Sequence, residues 1–197
     1  MPDFLTFLRL GFSHIADPKA YDHILFITAL TVAYPTSAWR QLLGLITAFT
    51  LGHSLTLALA TLELVRVNAA VVEVLIPLTI VMSSILAIAA VRSSDTSAVR
   101  RNHMWRYALV AVFGLVHGLG FSTFLRAILG GEESIALPLF AFNVGLEVGQ
   151  LAIVAGVLAL GALAHRALRV ERRDWVLVLS GATAGVAVVM VVERLSW

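Results

Sequence analysis

Residues 11–26 read GFSHIADPKAYDHILF, and the rest of the chain is read outward from them. The stretch sets His14, Asp22 and His23 at the mouth of a hydrophobic run that stops at Pro35. Asp17-Pro18 divides it, because proline disfavours helix in the residue before it. A short helical piece over residues 3–15, too brief to span a bilayer, is expected before the break. A first, short span over about Tyr21–Tyr34 is expected after it. Bent backbone of this kind survives at membrane depth where protein or a water-filled cavity covers it.

Composition sets the class. The 197 residues are 59% hydrophobic and 13% charged, with a mean hydropathy of +0.92. A soluble domain is typically about 45–50% apolar and about 25% charged. The chain is therefore expected to be one polytopic, all-α membrane domain over residues 1–197. Further spans are expected at about Arg40–Leu62, Asn68–Val91 with a kink at Pro77, Tyr107–Leu125, Ile135–Ala164 and Trp175–Val192. That makes a bundle of six transmembrane helices plus a short N-terminal half-helix or re-entrant element. Between the third and fourth spans, Arg92–Arg106 is the clearly hydrophilic loop, and Gly130-Gly131-Glu132-Glu133 forms a turn. The opening MPDFLTFLRLGF carries Asp3 and no basic leader, and is not expected to be a cleaved signal peptide.

The chain has no cysteine, which excludes a disulfide framework and thiolate metal ligands. Its pI near 9.5 does not point to nucleic acid, because the arginines sit in short loops between apolar runs. Arg40, Arg92, Arg100, Arg101, Arg106, Arg166, Arg169, Arg172 and Arg173 fall on one side, against Arg9, Lys19, Arg66, Arg126 and Arg194 on the other. The positive-inside rule puts the first set in the cytoplasm and both termini on the periplasmic side of a bacterial inner membrane.

Depth picks out the polar residues that matter. At about 1.5 Å per residue, His53 lies roughly 20 Å above Arg40, His117 roughly 17 Å above Arg106, and His23 roughly 18 Å above Pro35. Glu147 lies roughly 18 Å down its own span from Ile135. In a hydrocarbon core about 30 Å thick these positions fall near the middle or in the outer half. An ionisable group there costs at least about 2.5–3.5 kcal/mol, so groups at matched depth are best compensated by each other or by a bound cation. Imidazole with carboxylate suits borderline divalent metals such as nickel, cobalt or zinc. His14, Asp22, His23, His53, His117 and Glu147 are the candidate metal ligands. Thr50 and Ser54 on the second span, and Asn143 and Gln150 on the stripe of Glu147, are candidate cavity-lining residues.

Several residues have a plainer reading. His53 or His117 alone is as readily an interhelical hydrogen-bond partner, and Asn143 and Gln150 are typical helix glue. Glu63, Glu73, His103 and His165 are expected to be solvated, and Asp17 to cap the turn before Pro18. Phe49-x-x-x-His53 and Phe113-x-x-x-His117 echo each other on spans that point the same way. Gly114, Gly118 and Gly120 let backbones approach closely, and Gly181, Ala184 and Gly185 are expected to form a helix-packing seam, either within the chain or in a homo-oligomer.

The stretches GFSHIADPKAYDHILF, AFTLGHSLTLALATL, FGLVHGLGFS and AFNVGLEVGQ resemble those of the HupE/UreJ membrane proteins, and the resemblance runs from about Gly11 to Gln150. It implies a nickel or cobalt permease associated with hydrogenase and urease maturation. It also implies that His14, Asp22 and His23 form the histidine-aspartate-histidine motif. Seven residues separate His14 from Asp22 here, against the family's five, and Glu147 stands much farther from His117-Gly118 than in the family pattern.

Two functions fit these residues. The first is a divalent transition-metal permease in the lipid bilayer, with outer capture by His14, Asp22 and His23 and a midplane site at His53, His117 and Glu147. The sequence shows no nucleotide-binding loop, so transport would draw on the membrane potential or ion coupling. The second is an intramembrane zinc-dependent hydrolase acting on a lipid or membrane-embedded substrate, with Asp22 or Glu147 as general base. A metal-stabilised scaffold or sensor subunit is the plainest alternative.

Overall fold

The computed structural model describes residues 4–92, 103–129 and 135–196. The hydrophilic stretch 93–102, Asp3 and the Gly130–Glu133 turn lie outside the described residues, as does the side chain of His103. Among the described residues the secondary structure is all helix, with no strand. The helices are α1 (Phe4–Ala16), α2 (Asp22–Thr31), α3 (Trp39–Thr61) after a 3-10 turn at Thr36–Ala38, α4 (Ala69–Arg92), α5 (His103–Leu129), α6 (Ala136–Ala167) and α7 (Arg172–Leu195).

Five of them, α3 to α7, are long and apolar enough to cross a membrane, and their bounds fall within a few residues of the expected spans. The all-helical membrane fold holds. The expected first span does not stand as a full one: α2 has ten residues, roughly 15 Å, half of a hydrocarbon core.

The two short helices lie in series along α6. Phe4 faces Phe140 with ring centroids 6.4 Å apart, Gly145 sits against the Leu8 carbonyl, and Gly149 against the Ile15 side chain. Positions rise together, so α1 runs parallel to the first half of α6. At the other end, Thr31 and Val32 share a cleft with Val157, Leu158 and Gly161, so α2 accompanies the second half. The 32 residues of α6 thus back a discontinuous pair whose break, residues 17–21, leaves Pro18, Lys19 and Tyr21 exposed. Asp17 Oδ1 accepts the Lys19 N–H at 2.8 Å, and the Ala20 N–H reaches the Asp17 carbonyl at 3.1 Å, the Asx turn its sequence predicts.

Glycines set the closest approaches. Gly52 lies on the Ala111 carbonyl, Gly114 on that of Phe49 and Gly118 on that of His53. The parallel α3 and α5 therefore touch backbone to backbone, as α1 and α6 do through Gly11 and Gly145. In contrast, α4 and α7 run antiparallel, joined by Ser84 Oγ and Thr183 Oγ1 at 2.9 Å. A Cβ on Gly181 or Gly185 would meet nothing within 4 Å, so the seam expected there does not pack within this chain. Large side chains such as Leu51, Leu55, Leu64, Leu160 and Val178 point outward, as lipid-facing positions do. The buried cluster is phenylalanine-rich, with Phe7, Phe26, Phe49 and Phe142 fully enclosed.

Candidate metal centre

The break between α1 and α2 brings three imidazoles together. His14 stands in the last turn of α1 and His23 in the first turn of α2, while His53 projects from the middle of α3. Each offers a ring nitrogen, and these three atoms lie within 4.8 Å of one another. Ring centroids are 4.7 Å apart for His14 and His23, 6.1 Å for His14 and His53, and 6.4 Å for His23 and His53. The longer spacing between His14 and Asp22 is absorbed by the Asx turn, and His14 joins the group.

Burial makes the arrangement chemically demanding. His53 is fully buried and His23 nearly so. His14 Nε2, His23 Nε2 and both His53 nitrogens have no hydrogen-bond partner in the protein. Buried polar atoms are almost always satisfied, and an unpaired one costs about 1–3 kcal/mol. Several such nitrogens converging on one point fit a cation that accepts their lone pairs. Metal–imidazole bonds of about 2.0–2.1 Å put nitrogens of a tetrahedral site about 3.4 Å apart, so closure needs roughly 1 Å of side-chain movement.

Asp22 supports the group from one side. Its Oδ1 accepts the His23 N–H at 2.9 Å and lies 3.2 Å from His23 Nδ1, which leaves His23 Nε2 toward the cluster. His117 stands next to it, its ring 5.1 Å from that of His23. His117 Nε2 is 2.9 Å from Thr79 Oγ1, and that hydroxyl donates to the Ile76 carbonyl at 2.7 Å. A hydroxyl has one proton, so Thr79 accepts from His117 Nε2–H. The neutral ring then carries its lone pair on Nδ1, which is buried and unpartnered.

Glu147 sits elsewhere. Its Oε1 accepts from Thr47 Oγ1 at 2.7 Å, and one turn along, Thr50 Oγ1 donates to Gln150 Oε1 at 2.8 Å. These pairs form a polar ladder between α3 and α6, with Thr47 six residues, roughly 9 Å, along α3 from His53. Gln150 Nε2 and Asn143 Oδ1 are buried without partners. Ser54 bonds the Thr50 carbonyl of its own helix at 2.6 Å, so its hydroxyl is already engaged. His165 is half-buried, with Nδ1 2.7 Å from the Val170 carbonyl, rather than the solvated residue expected. Glu63 pairs with Arg66 and Arg126 at 2.7 and 2.9 Å.

A collar of phenylalanines encloses the imidazoles. Phe121 lies 3.9 Å from the His14 ring and stacks on Phe142 at 5.2 Å, while Phe26 and Phe49 each lie 5.2 Å from His117. The collar sets apolar faces against the imidazoles and lowers the local dielectric, which strengthens any charge interaction inside. Sequence reasoning passed over it, although the signal was present: Phe26, Phe49, Phe113 and Phe121 each stand three or four residues from a site histidine, hence on its helix face.

A family model described as HupE / UreJ protein matches residues 1–194. No curated protein and no solved structure matches the chain.

Proposed function

The chain belongs to the HupE/UreJ family, and on that premise we propose that it is a permease for a divalent transition-metal ion of the nickel or cobalt type. The observation that carries this reading is the convergence of three imidazoles from α1, α2 and α3, each with a ring nitrogen that has no hydrogen-bond partner, beside the break in a discontinuous helix. Broken helices are where membrane transporters place their ion sites. In this reading His14, His23 and His53 hold the ion, Asp22 orients His23, and the free Nδ1 of His117 takes the ion next. Glu147, Gln150, Thr50 and Asn143 line its way along α3 and α6. The end carrying Arg40, Arg106, Arg166 and Arg172 faces the cytoplasm of a bacterial inner membrane.

A second reading rests on the same set: three histidines with a nearby carboxylate also describe a catalytic zinc site with a fourth position for water. An intramembrane zinc-dependent hydrolase would retain its metal; a permease must release it. Purified protein should therefore take up about one Ni²⁺ or Co²⁺ per chain, lose it on washing with chelator, and carry it into proteoliposomes. His53→Ala should abolish both. Chelator-resistant zinc without uptake would favour the hydrolase, and no bound metal under any condition would end both readings.

A further inference from the structure

Asp22 has a second ionic neighbour, supplied by the last helix. Arg194, in the final turn of α7, places Nη2 3.7 Å from Asp22 Oδ2. Its Nη1 donates to the Glu73 carbonyl on α4 at 2.6 Å. The Asp22 side chain is 13% exposed and that of Arg194 25%, so the pair lies at the edge of the buried site. The guanidinium approaches the oxygen not turned toward His23, whose ring nitrogen is 3.2 Å from Oδ1. Arginine and carboxylate usually meet through two parallel hydrogen bonds below 3 Å. Here the contact is single and long, because the other end of the guanidinium is held by the Glu73 carbonyl.

We propose that Arg194 is a tethered cation that balances Asp22 while the imidazoles hold no ion, and that an incoming divalent ion displaces it. The inference rests on the three-histidine group being the cargo site. Without cargo, one carboxylate, one guanidinium and neutral imidazoles sum to zero charge. Arrival of a divalent ion puts two cationic centres beside one carboxylate, and the stronger ligand set belongs to the metal. Arg194 then withdraws outward, which its partial exposure permits. Its repulsion weakens binding, which suits a carrier that has to let go of its cargo. Arg194 is thus a residue that sets affinity and release, not a ligand.

The test compares the wild type with Arg194→Gln and Arg194→Lys by calorimetric titration of Ni²⁺, Co²⁺ and Zn²⁺. Removing one unit charge several ångströms from a divalent ion, at an effective dielectric near 20, should tighten binding by roughly tenfold or more. Arg194→Lys should stay near the wild type, and release from Arg194→Gln should slow. Equal or weaker binding by a folded Arg194→Gln overturns the tether alone, whereas a wild type that binds none of the three ions overturns the metal reading and the tether with it. A second measurement needs no substitution: hydrogen exchange at residues 193–195 of the wild type should speed up when Ni²⁺ is added. Unchanged or slower exchange in protein that has bound Ni²⁺ also overturns the tether.

Discussion

Gly114→Ala tests whether the α3–α5 seam positions the site. A methyl group there would run into the Phe49 carbonyl oxygen and would stand 3.0 Å from both His53 N and Phe49 C. Heavy atoms settle at about 3.5–4.0 Å, and the carbonyl oxygen is the nearest of the three, so α5 must retreat from α3 by at least about 1 Å. Overpacking of this kind costs about 1–3 kcal/mol, and for a chain of this length each kcal/mol lowers Tm by about 2–4 °C. The same strain falls on the backbone of His53, one of the three converging histidines, with its N 3.0 Å from the new methyl, whereas metal sites tolerate about 0.2 Å of ligand displacement. Nickel affinity should fall by at least about tenfold, the lower end of what disturbing a ligand's support costs. Thermal unfolding in detergent and metal titration on the same preparation read both effects. Gly185→Ala is the control: its new methyl meets nothing within 4 Å, and the gain in helix propensity is up to about 1 kcal/mol. If Gly114→Ala matched Gly185→Ala in both stability and affinity, the backbone contact would not be what holds His53.

Glu147→Gln should slow metal uptake into proteoliposomes while leaving equilibrium binding at the three-histidine group within about threefold of the wild type; loss of binding would place Glu147 in the first site instead. Thr50→Val removes the donor to Gln150 Oε1 and leaves a buried carboxamide unsatisfied, so stability should drop by about 1–3 kcal/mol, read as a lower Tm. At the far ends of α3 and α4, the hydrogen bonds from Arg126 and Arg66 hold the Glu63 carboxyl below its ordinary value of 4.5. A lowered folded value stabilises above the unfolded one and is lost as pH falls through the folded one. The small deficit of Glu63→Gln at neutral pH should therefore close as pH falls through the lowered folded value of the Glu63 carboxyl; a deficit that persists below it would assign it to packing.

Much of this was legible because a bilayer restricts what a polar residue can be doing. His23 and His53 stood out as isolated imidazoles in apolar runs, and counting 1.5 Å per residue put them at one height. Counting along separate helices does not fix their relative heights, however. It set Glu147 level with the histidines, but its carboxylate bonds Thr47, roughly 9 Å along α3 from His53. Proline at position 18 announced the break in the first helix. That α1 and α2 then continue in series beside α6 depends on which glycines meet which carbonyls, a long-range fact that no local pattern carries. Arg194 counted in the sequence only toward orientation, since nothing within its own helix points to a carboxylate 172 residues away.

The two glycine seams have a mechanical consequence. Backbone contact welds α3 to α5, and α1 to α6, into two stiff blades. Between α3 and α6 the joint is softer, made by side chains such as Thr47 with Glu147 and Thr50 with Gln150. His53 and His117 ride on one blade, His14 on the other, and His23 on the short helix between them. If one blade rocked against the other, the number of imidazoles able to reach a single point would change, and coordination number would become a function of blade angle. An ion held by three nitrogens would latch the pair shut, and the loss of one nitrogen on opening would loosen it in the same movement.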